Sequence, residues 1–370
     1  MSTFDCTIVD SVDRIRTEDW DRLFGDIPEG RPFFKTLETS GLSDFSFRYA
    51  LVRERGRVVL IAPLFLAEFD AAILAEGLVV HALRAIRKVA PRFLVMKTLF
   101  CGSPFGERGI IGIDRDVSDA RGALCALVDA MKSFGARAGS GVIAFKDFPR
   151  AAAGALAPLR EFGFFRIDSL PTVALEIDFA SLDEYMRGLS RPTRKDLRRK
   201  LKRARERHRI DIEVAQDVSG KIDDIYRLYL NTYHAGGVRF EKLTKEFFIR
   251  VSQHHGEGVR FFLYYVDGAL GAFNLCFVHR ALLIDKFIGF DYRLSNAANL
   301  YFVSWCRNIE WCLRNSIRSY QVGQTDYHPK LRLGGRAEPL DAYVTHLNPA
   351  ARGALIAFAR LFLTPHGGPR

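Results

Sequence analysis

The sequence has no C-x-x-C pair and no histidine spacing to match one. Its six cysteines, Cys6, Cys101, Cys125, Cys276, Cys306 and Cys312, are spread along the chain. That pattern excludes a zinc or disulfide framework and leaves reduced thiols packed in a core. The opening residues, Met-Ser-Thr-Phe-Asp-Cys, show no basic stretch followed by an apolar one, and no run of apolar residues is long enough to span a bilayer. A cytoplasmic protein with no transmembrane segment is expected. With 48% hydrophobic and 26% charged residues in 370, the chain is neither disordered, collagenous nor a membrane bundle, and it is long enough for two cores of ordinary size. Net positive charge is also scarce outside one place. Of the formal net charge of +11, the nineteen residues Arg191 to Arg209 carry +9, from eleven basic and two acidic side chains. The remainder is almost neutral, so a globally basic, histone-like protein is excluded and a local anionic partner is implied.

Along the chain, a helix is expected around Trp20 to Phe24. A hairpin follows, Phe45 to Arg53 and Val58 to Leu66, turning at Glu54-Arg55-Gly56-Arg57. Ala71 to Val89 is apolar with Arg84, Arg87 and Lys88 spaced along it, which suggests an amphipathic helix or lid, a membrane-surface role being the alternative. Then come a strand ending at Cys101, a helix over 116–134, a strand over 141–146, a helix over 151–162 and a strand pair near Val173 to Ile177. The second half repeats the grammar. Arg260 to Val266 and Leu270 to Val278 form a hairpin with Gly268 at its turn, 212 residues after Gly56. A strand over Leu282 to Phe290, a helix over Ala297 to Asn315, and strands at Ser319 to Gly323 and Asp341 to His346 follow. Hairpin, strand, helix, strand occurring twice indicates a tandem duplication of one mixed α/β unit, with domains over 1–180 and 181–350 and a tail over 351–370.

The charged segment sits at the seam. Thr193 reads as an N-cap with Asp196 in the first turn, and Leu197, Leu201 and Ala204 fall on one narrow apolar stripe. Arg194, Lys195, Arg198 and Lys202 lie outside that stripe. Like charges at i,i+4 cost a few tenths of a kcal/mol per pair, about enough that so dense a run calls for a counter-charge. Phosphate fits, as a coenzyme's pyrophosphate and 3′-phosphate or as an RNA backbone. No aromatic residue interrupts the run, so base stacking is not indicated.

The stretches Ile309-Glu310-Trp311, Val322-Gly323-Gln324-Thr325-Asp326-Tyr327-His328-Pro329-Lys330, Leu333-Gly334-Gly335 and Tyr343-Val344-Thr345-His346 follow one another toward the C-terminus. Upstream lie Tyr229, Thr232, Tyr233, the run Leu243 to Phe248, and Ser190-Arg-Pro-Thr-Arg-Lys. In this order they resemble the Fem-like and BioF2-like tandem acyltransferases of the GNAT superfamily, well over 182–347 and in outline before that. The resemblance implies two tandem GNAT-like domains, mixed α/β (α+β), each a largely antiparallel mixed sheet flanked by helices. Two features depart from it. The Q/R-x-x-G-x-G/A pyrophosphate fingerprint is absent, the sequence reading Asp291-Tyr-Arg-Leu-Ser-Asn-Ala-Ala-Asn299, and no coiled-coil arm is visible. A helix start near Ser295 or Asn296 would still offer backbone N–H groups to a phosphate.

The implied chemistry is direct acyl transfer to an amine, achieved by holding donor and acceptor together with the donor carbonyl polarised. No metal is required. In this scheme Lys330 stabilises developing negative charge or holds a donor phosphate, against the alternative of a surface lysine before a turn. Gln324, with Gly323, orients a substrate carbonyl; Tyr327 or His328 protonates the leaving group; Asp326 or Asp285 takes the amine proton. Tyr233, Gly334 and Gly335 complete the substrate-binding candidates, the two glycines through close backbone approach in a cleft or in packing. His234, His254 and His255 read as surface residues and His346 as a strand residue. The donor is acyl-CoA or, alternatively, aminoacyl-tRNA, and the acceptor a small-molecule amine or a cell-wall precursor. A non-catalytic module binding RNA or an acidic partner is the third possibility.

Overall fold

The computed structural model describes residues 4–74, 78–236 and 242–362. The chain divides into two compact units. The first comprises 1–38, 42–171 and 339–370, and the second 39–41 and 172–338. The boundaries expected at 180 and 350 assume that each unit is one contiguous stretch, and the chain departs from that at both ends of the second unit.

In the first unit the elements are β1 (Phe4–Val9), α1 (Thr17–Phe24), α2 (Arg31–Thr39), β2 (Ser46–Glu54), β3 (Arg57–Asp70), α3 (Leu78–Arg87), β4 (Val95–Cys101), β5 (Gly112–Ile113), α4 (Ala120–Arg137), β6 (Val142–Pro149) and α5 (Ala153–Leu156). The strand β7 (Phe165–Glu176) then carries the chain across the boundary. The expected hairpin is β2 and β3, and the expected strand pair near Val173 is this one long strand. The helix expected over 151–162 is a run of short 3-10 and α turns between Arg150 and Arg160. Of the segment expected to be amphipathic over 71–89, residues 78–87 form α3, and 75–77 lie outside the described residues.

The second unit holds α6 (Leu182–Gly188), α7 (Arg191–Arg207), β8 (Ile210–Ala215), α8 (Ile222–Ala235), α9 (Lys245–His255), β9 (Val259–Val266), β10 (Ala269–His279), β11 (Leu282–Phe290), α10 (Tyr292–Ala298), α11 (Leu300–Arg314), β12 (Ser319–Gly323) and α12 (Tyr327–Arg332). β13 (Arg336–His346) and α13 (Pro349–Phe362) end the chain. From Pro339 onward these residues belong to the first unit, so the expected tail over 351–370 is largely a helix, with 363–370 outside the described residues.

The sheet of the first unit runs β1-β2-β3-β4-β6-β13 and that of the second β7-β12-β11-β10-β9-β8. Each contains one parallel pair, β4 with β6 and β11 with β12, bracketing a helix, while the other neighbours are antiparallel. This is the repeated grammar of the sequence. The outer strands are exchanged, however. β13 pairs with β6 although it follows the whole second unit, and the end of β7 pairs with β12 although it precedes it.

Within the second unit, alternation along the strands sorts side chains to two faces. Phe262, Tyr264 and Val266 of β9 share a core cluster with Leu197, Leu201 and Ala204 of α7 and with Val303, Cys306 and Ile309 of α11. Phe273 and Phe287 instead meet the rings of Tyr229, Phe247 and Phe248 from α8 and α9. The helix expected over Ala297 to Asn315 is split at Asn299, whose left-handed backbone (φ 52°) ends α10 and starts α11. Asparagine tolerates this conformation better than other side chains, so a helical hydrophobic pattern runs through the break unaltered.

Candidate active site

β11 and β12 are paired over only three residues each, Leu282–Ile284 with Ser319–Gln321. Past that point they part. A bulge accompanies the parting on each side. On β11, Asp285 pairs with Cys276 and Phe287 with Leu275, so Lys286 is the extra residue, and on β12 the register with β7 shifts between Gln321 and Gly323. Bulges re-aim side chains and end pairing, and here they leave the edges of two central strands facing an opening.

Asp285 stands at the mouth of this opening. Its Oδ2 accepts hydrogen bonds from Asn274 Nδ2 (2.6 Å) and from the Tyr320 hydroxyl (3.0 Å). Tyr320 in turn accepts from Asn308 Nδ2 (2.8 Å), and Tyr264 donates to Asn308 Oδ1. Burial raises the pKa values of the Tyr264 and Tyr320 phenols well above the ordinary tyrosine value, and the carboxylate of Asp285 adds to the effect on both. Both phenols therefore stay protonated as donors. Two further polar atoms around Asp285 are buried without a hydrogen-bond partner among the described residues, the amide oxygen of Asn274 and the hydroxyl of Tyr301. Burial also raises the Tyr301 phenol, with the carboxylates of Asp326 and Asp285 adding to it. Buried polar atoms left unpaired cost about 1–3 kcal/mol each, and persist most readily where a ligand completes them.

The loop after β12 is strained. Gly323, Thr325 and Asp326 all have positive φ (73°, 64° and 45°), which for a β-branched threonine is a costly conformation. What fixes it is Lys330. The residue is buried on α12, and its ammonium donates to the carbonyl of Gln324 (2.9 Å) and, more distantly, of Gly323 (3.4 Å). It is therefore not a surface lysine before a turn but the clamp of the loop. Gln324 and Tyr327 are half-buried, while Asp326 and His328 are exposed. These four stand together on the loop and the start of α12, and Asp326 and Asp285 both act on Tyr301.

Gly334 and Gly335 close the end of α12. Gly334 has φ +90° and lies against Leu175, Leu189 and Tyr185, and a Cβ on Gly335 would come within 2.6 Å of Val173 Cγ1 and 2.9 Å of the Lys330 carbonyl oxygen. Of the two expectations for this turn, close approach in packing is the one these contacts describe. Tyr233 lies on α8, where its ring meets Tyr229 and His234. Its neighbours Asn231 and Thr232 bind the backbone of Phe290.

Ser295 and Asn296 require a correction. They sit inside α10 rather than at its start, and the amide of Ser295 already donates to the carbonyl of Asp291 (2.7 Å). The true start of α10 is capped by the Asp291 carboxylate, which accepts from the amides of Arg293 and Leu294. A phosphate would have to displace an anion from that position. On α7 the N-cap is Ser190 rather than Thr193: its hydroxyl accepts from the Thr193 amide (3.4 Å), and Pro192 occupies the first turn. Thr193 itself is buried in line with Leu197, Leu201 and Ala204. Asp196 holds Arg199 and Lys200, Lys200 lies 3.6 Å from the centre of the Phe302 ring, and Arg194 donates to the Arg187 carbonyl. Lys202 has Glu206 at 3.6 Å. Arg191, Lys195, Arg198, Arg203, Arg205 and Arg207 have no partner among the described residues.

His255 also differs from expectation. Its imidazole is largely buried against Phe277, and its pKa falls from 6.5 to about 4, chiefly by burial, with His254 and Lys286 adding to the shift. The residues that the sequence did not single out are Asn274, Tyr301, Asn308 and Tyr320. One signal is available for two of them: Tyr301 and Asn308 are spaced i,i+7 on a helix, and Asn308, like Ser304 one turn earlier, is a polar residue within its buried stripe. No group of metal-ligating side chains occurs among the described residues, and no described helix is long and apolar enough to cross a membrane.

Residues 191–331 match the family model described as Acetyltransferase (GNAT) domain. Two curated proteins of Mycobacterium tuberculosis, each named putative 8-amino-7-oxononanoate synthase 2, are 26% identical over 336 residues, covering 89% of this chain and 43% of theirs. The chain thus spans less than half the length of these relatives. Among solved structures, FemX superimposes with a TM-score of 0.58 at 14% identity, covering 94% of this chain and 99% of that one. A tandem GNAT protein from the clavulanic acid biosynthesis pathway gives 0.57 at 14%, with coverages of 94% and 99%. The C-terminal domain of a putative lysylphosphatidylglycerol synthetase from Agrobacterium fabrum gives 0.55 at 13%, with coverages of 95% and 98%. At these identities the structural likeness is one of fold. Residues 191–331 thus match a GNAT acetyltransferase domain, and nearly the whole chain shares the fold of FemX and of this tandem GNAT protein.

Proposed function

We propose that the protein moves an acyl group from acyl-CoA to an amine acceptor, in the cytoplasm, at the opening between β11 and β12. The observation that carries this reading is the pair of unsatisfied buried atoms, Tyr301 Oη and Asn274 Oδ1, gathered around Asp285 where the strands part. The amine attacks the donor carbonyl, a C–N bond forms and the C–S bond breaks. One proton leaves the amine, and one is taken up by the departing thiolate. Tyr301 is a protonated donor suited to the carbonyl oxygen or the thiolate, with Tyr327 or His328 as the other proton donor. The exposed Asp326 is the better placed of the two carboxylates to take the amine proton, because Asp285 already accepts two hydrogen bonds. Lys330 acts on this scheme by positioning the loop that presents Gln324. Titration calorimetry and thiol-release assays with acetyl-CoA and longer acyl-CoAs against a panel of amines test the reading. Saturable binding at sub-millimolar concentration with thiol release supports it; absence of both overturns it.

Six cations on α7 without a partner among the described residues favour a second donor, aminoacyl-tRNA. A filter-binding titration with tRNA then shows a steep salt dependence. Neutralising Lys195, Arg198 and Lys202 lowers the slope of log K against log salt by about 2–3, since each phosphate contact contributes roughly 0.7–0.9. A slope unchanged by these substitutions removes this donor.

A further inference from the structure

Opposite the Asp285 network, on the far side of α11, a second recess opens within the same unit. At about 100° per residue, Tyr301 and Asn308 lie on one side of this helix, and Val303, Cys306, Arg307 and Glu310 lie on the other. The second stripe, together with the end of α7 and the start of β8, encloses a pocket of about 210 Å³. That is below the range of roughly 300–1,000 Å³ typical of drug-sized ligands, so it takes a small molecule or an end group and not a whole coenzyme.

Its composition is divided. Leu201, Val303 and Ile210 give an apolar floor, and the buried Cys306 thiol, pushed up to about 12 chiefly by burial, behaves there as a neutral, apolar group. The charged lining is Arg205, His208, Arg307 and Glu310. Glu310 is committed to Arg307 (2.7 Å), which holds that guanidinium in place. His208 is held through Nδ1 by the Asp267 carboxylate (2.8 Å), so Nε2 is the ring nitrogen left for a ligand. Arg205 is exposed and has no partner among the described residues. A fixed guanidinium, an unused one and an oriented imidazole surround an apolar base, and planar guanidinium groups suit carboxylate and phosphate oxygens.

We infer that this pocket binds a small anion, a carboxylate or phosphate monoester carrying an apolar group, at a site separate from the one proposed for transfer. The anionic head lies against Arg205 and Arg307, and the apolar part enters toward Val303 and Ile210. Binding there is independent of the acyl donor.

Calorimetric titration of the full chain with butyrate and with phenyl phosphate tests it, inorganic phosphate and acetate serving as probes without an apolar body. Saturable binding is expected for at least one of the first pair, tighter than for its apolar-free counterpart, the better probe identifying the head group. Arg205→Gln is exposed and leaves the core intact. It weakens binding by at least about tenfold, the effect of losing a charge-assisted hydrogen bond. Arg203→Gln removes an equal charge from the opposite flank of α7 and changes affinity less than about twofold. Equal losses in both variants mean that the probes sense only the general field of α7 and overturn the inference. So does an unchanged affinity in Arg205→Gln, or the absence of saturable binding by either apolar probe.

Discussion

Replacing Tyr320 by phenylalanine isolates the contribution of a single oxygen at the centre of the buried network. Tyr320 is 1% exposed and Asn308 fully buried, so solvent cannot substitute for what is lost. The missing hydroxyl removes a hydrogen bond to the Asp285 carboxylate, worth about 1.5–3 kcal/mol, and leaves the Asn308 amide without its acceptor, at about 1–3 kcal/mol. The two terms share one network and do not simply add, which places the loss at roughly 3 kcal/mol. In a unit of this size that corresponds to a fall of about 6–12 °C in its melting transition. Tyr265→Phe is the control, because its hydroxyl meets Glu213 (3.0 Å) at a partly exposed position. It costs under about 1 kcal/mol. Urea unfolding of both variants, followed by fluorescence and circular dichroism, makes the comparison. If Tyr320→Phe is no more destabilising than Tyr265→Phe, the network does not organise the site.

Three further outcomes are expected. Because the folded pKa of His255 is about 4 against 6.5 for the ordinary imidazole, only the unfolded chain takes up this proton between those values. The stabilisation is complete above pH 6.5 and is lost as pH falls toward 4, by at most about 3 kcal/mol. His255→Gln flattens that part of the stability profile measured by urea unfolding across pH. Gly289→Ala places a Cβ 2.3 Å from the Phe273 ring and 2.7 Å from two backbone atoms of α8, at Leu228 and Tyr229. It destabilises by on the order of 3 kcal/mol in the same assay, and a loss below 1 kcal/mol contradicts the packing of α8 on β11. Thr325→Gly relieves a left-handed backbone at a cost in unfolded-chain entropy, leaving stability within about 1 kcal/mol of the parent, whereas Thr325→Val retains the strain. If the strained loop presents Gln324 for transfer, Thr325→Gly lowers turnover without a matching loss of stability.

Several strands can be read from the sequence because short-range signals bound them. Leu282–Phe290 and Ser319–Gly323 lie between turn-forming residues and match their expected limits. The buried stripe of α7 is equally legible from the spacing of Leu197, Leu201 and Ala204. Its cap is ambiguous in the sequence, because Ser190 and Thr193 both suit that position and Pro192 is accepted in a first turn. The site is legible only in part. Its loop, Gly323 to Lys330, stands out by composition, but the burial of Lys330 depends on α12 folding back over that loop, and lysine normally marks a surface. The Asp285 network joins residues 11 and 35 positions apart, and spans four strands and one helix, which no local pattern records. The exchange of β7 and β13 lies further out of reach, since Thr345 pairs with Ile143 across two hundred residues of chain.

That exchange bears on how the polypeptide emerges from a ribosome. Leu340 completes the edge of β6 at Pro149, 191 residues after β6 has been made. At roughly 5–20 residues per second, the first unit waits about 10–40 s with one edge of its sheet unpaired, a period of exposure to aggregation. Contiguous fragments inherit the same defect. A chain ending near 338 lacks β13, and one beginning near 182 lacks the strand that β12 requires. Pulse proteolysis of ribosome-stalled chains, with protection of the first unit appearing only after residue 346 has cleared the exit tunnel, would register the delay directly. Early protection at a stall near residue 180 would show that the half-finished sheet is already stable.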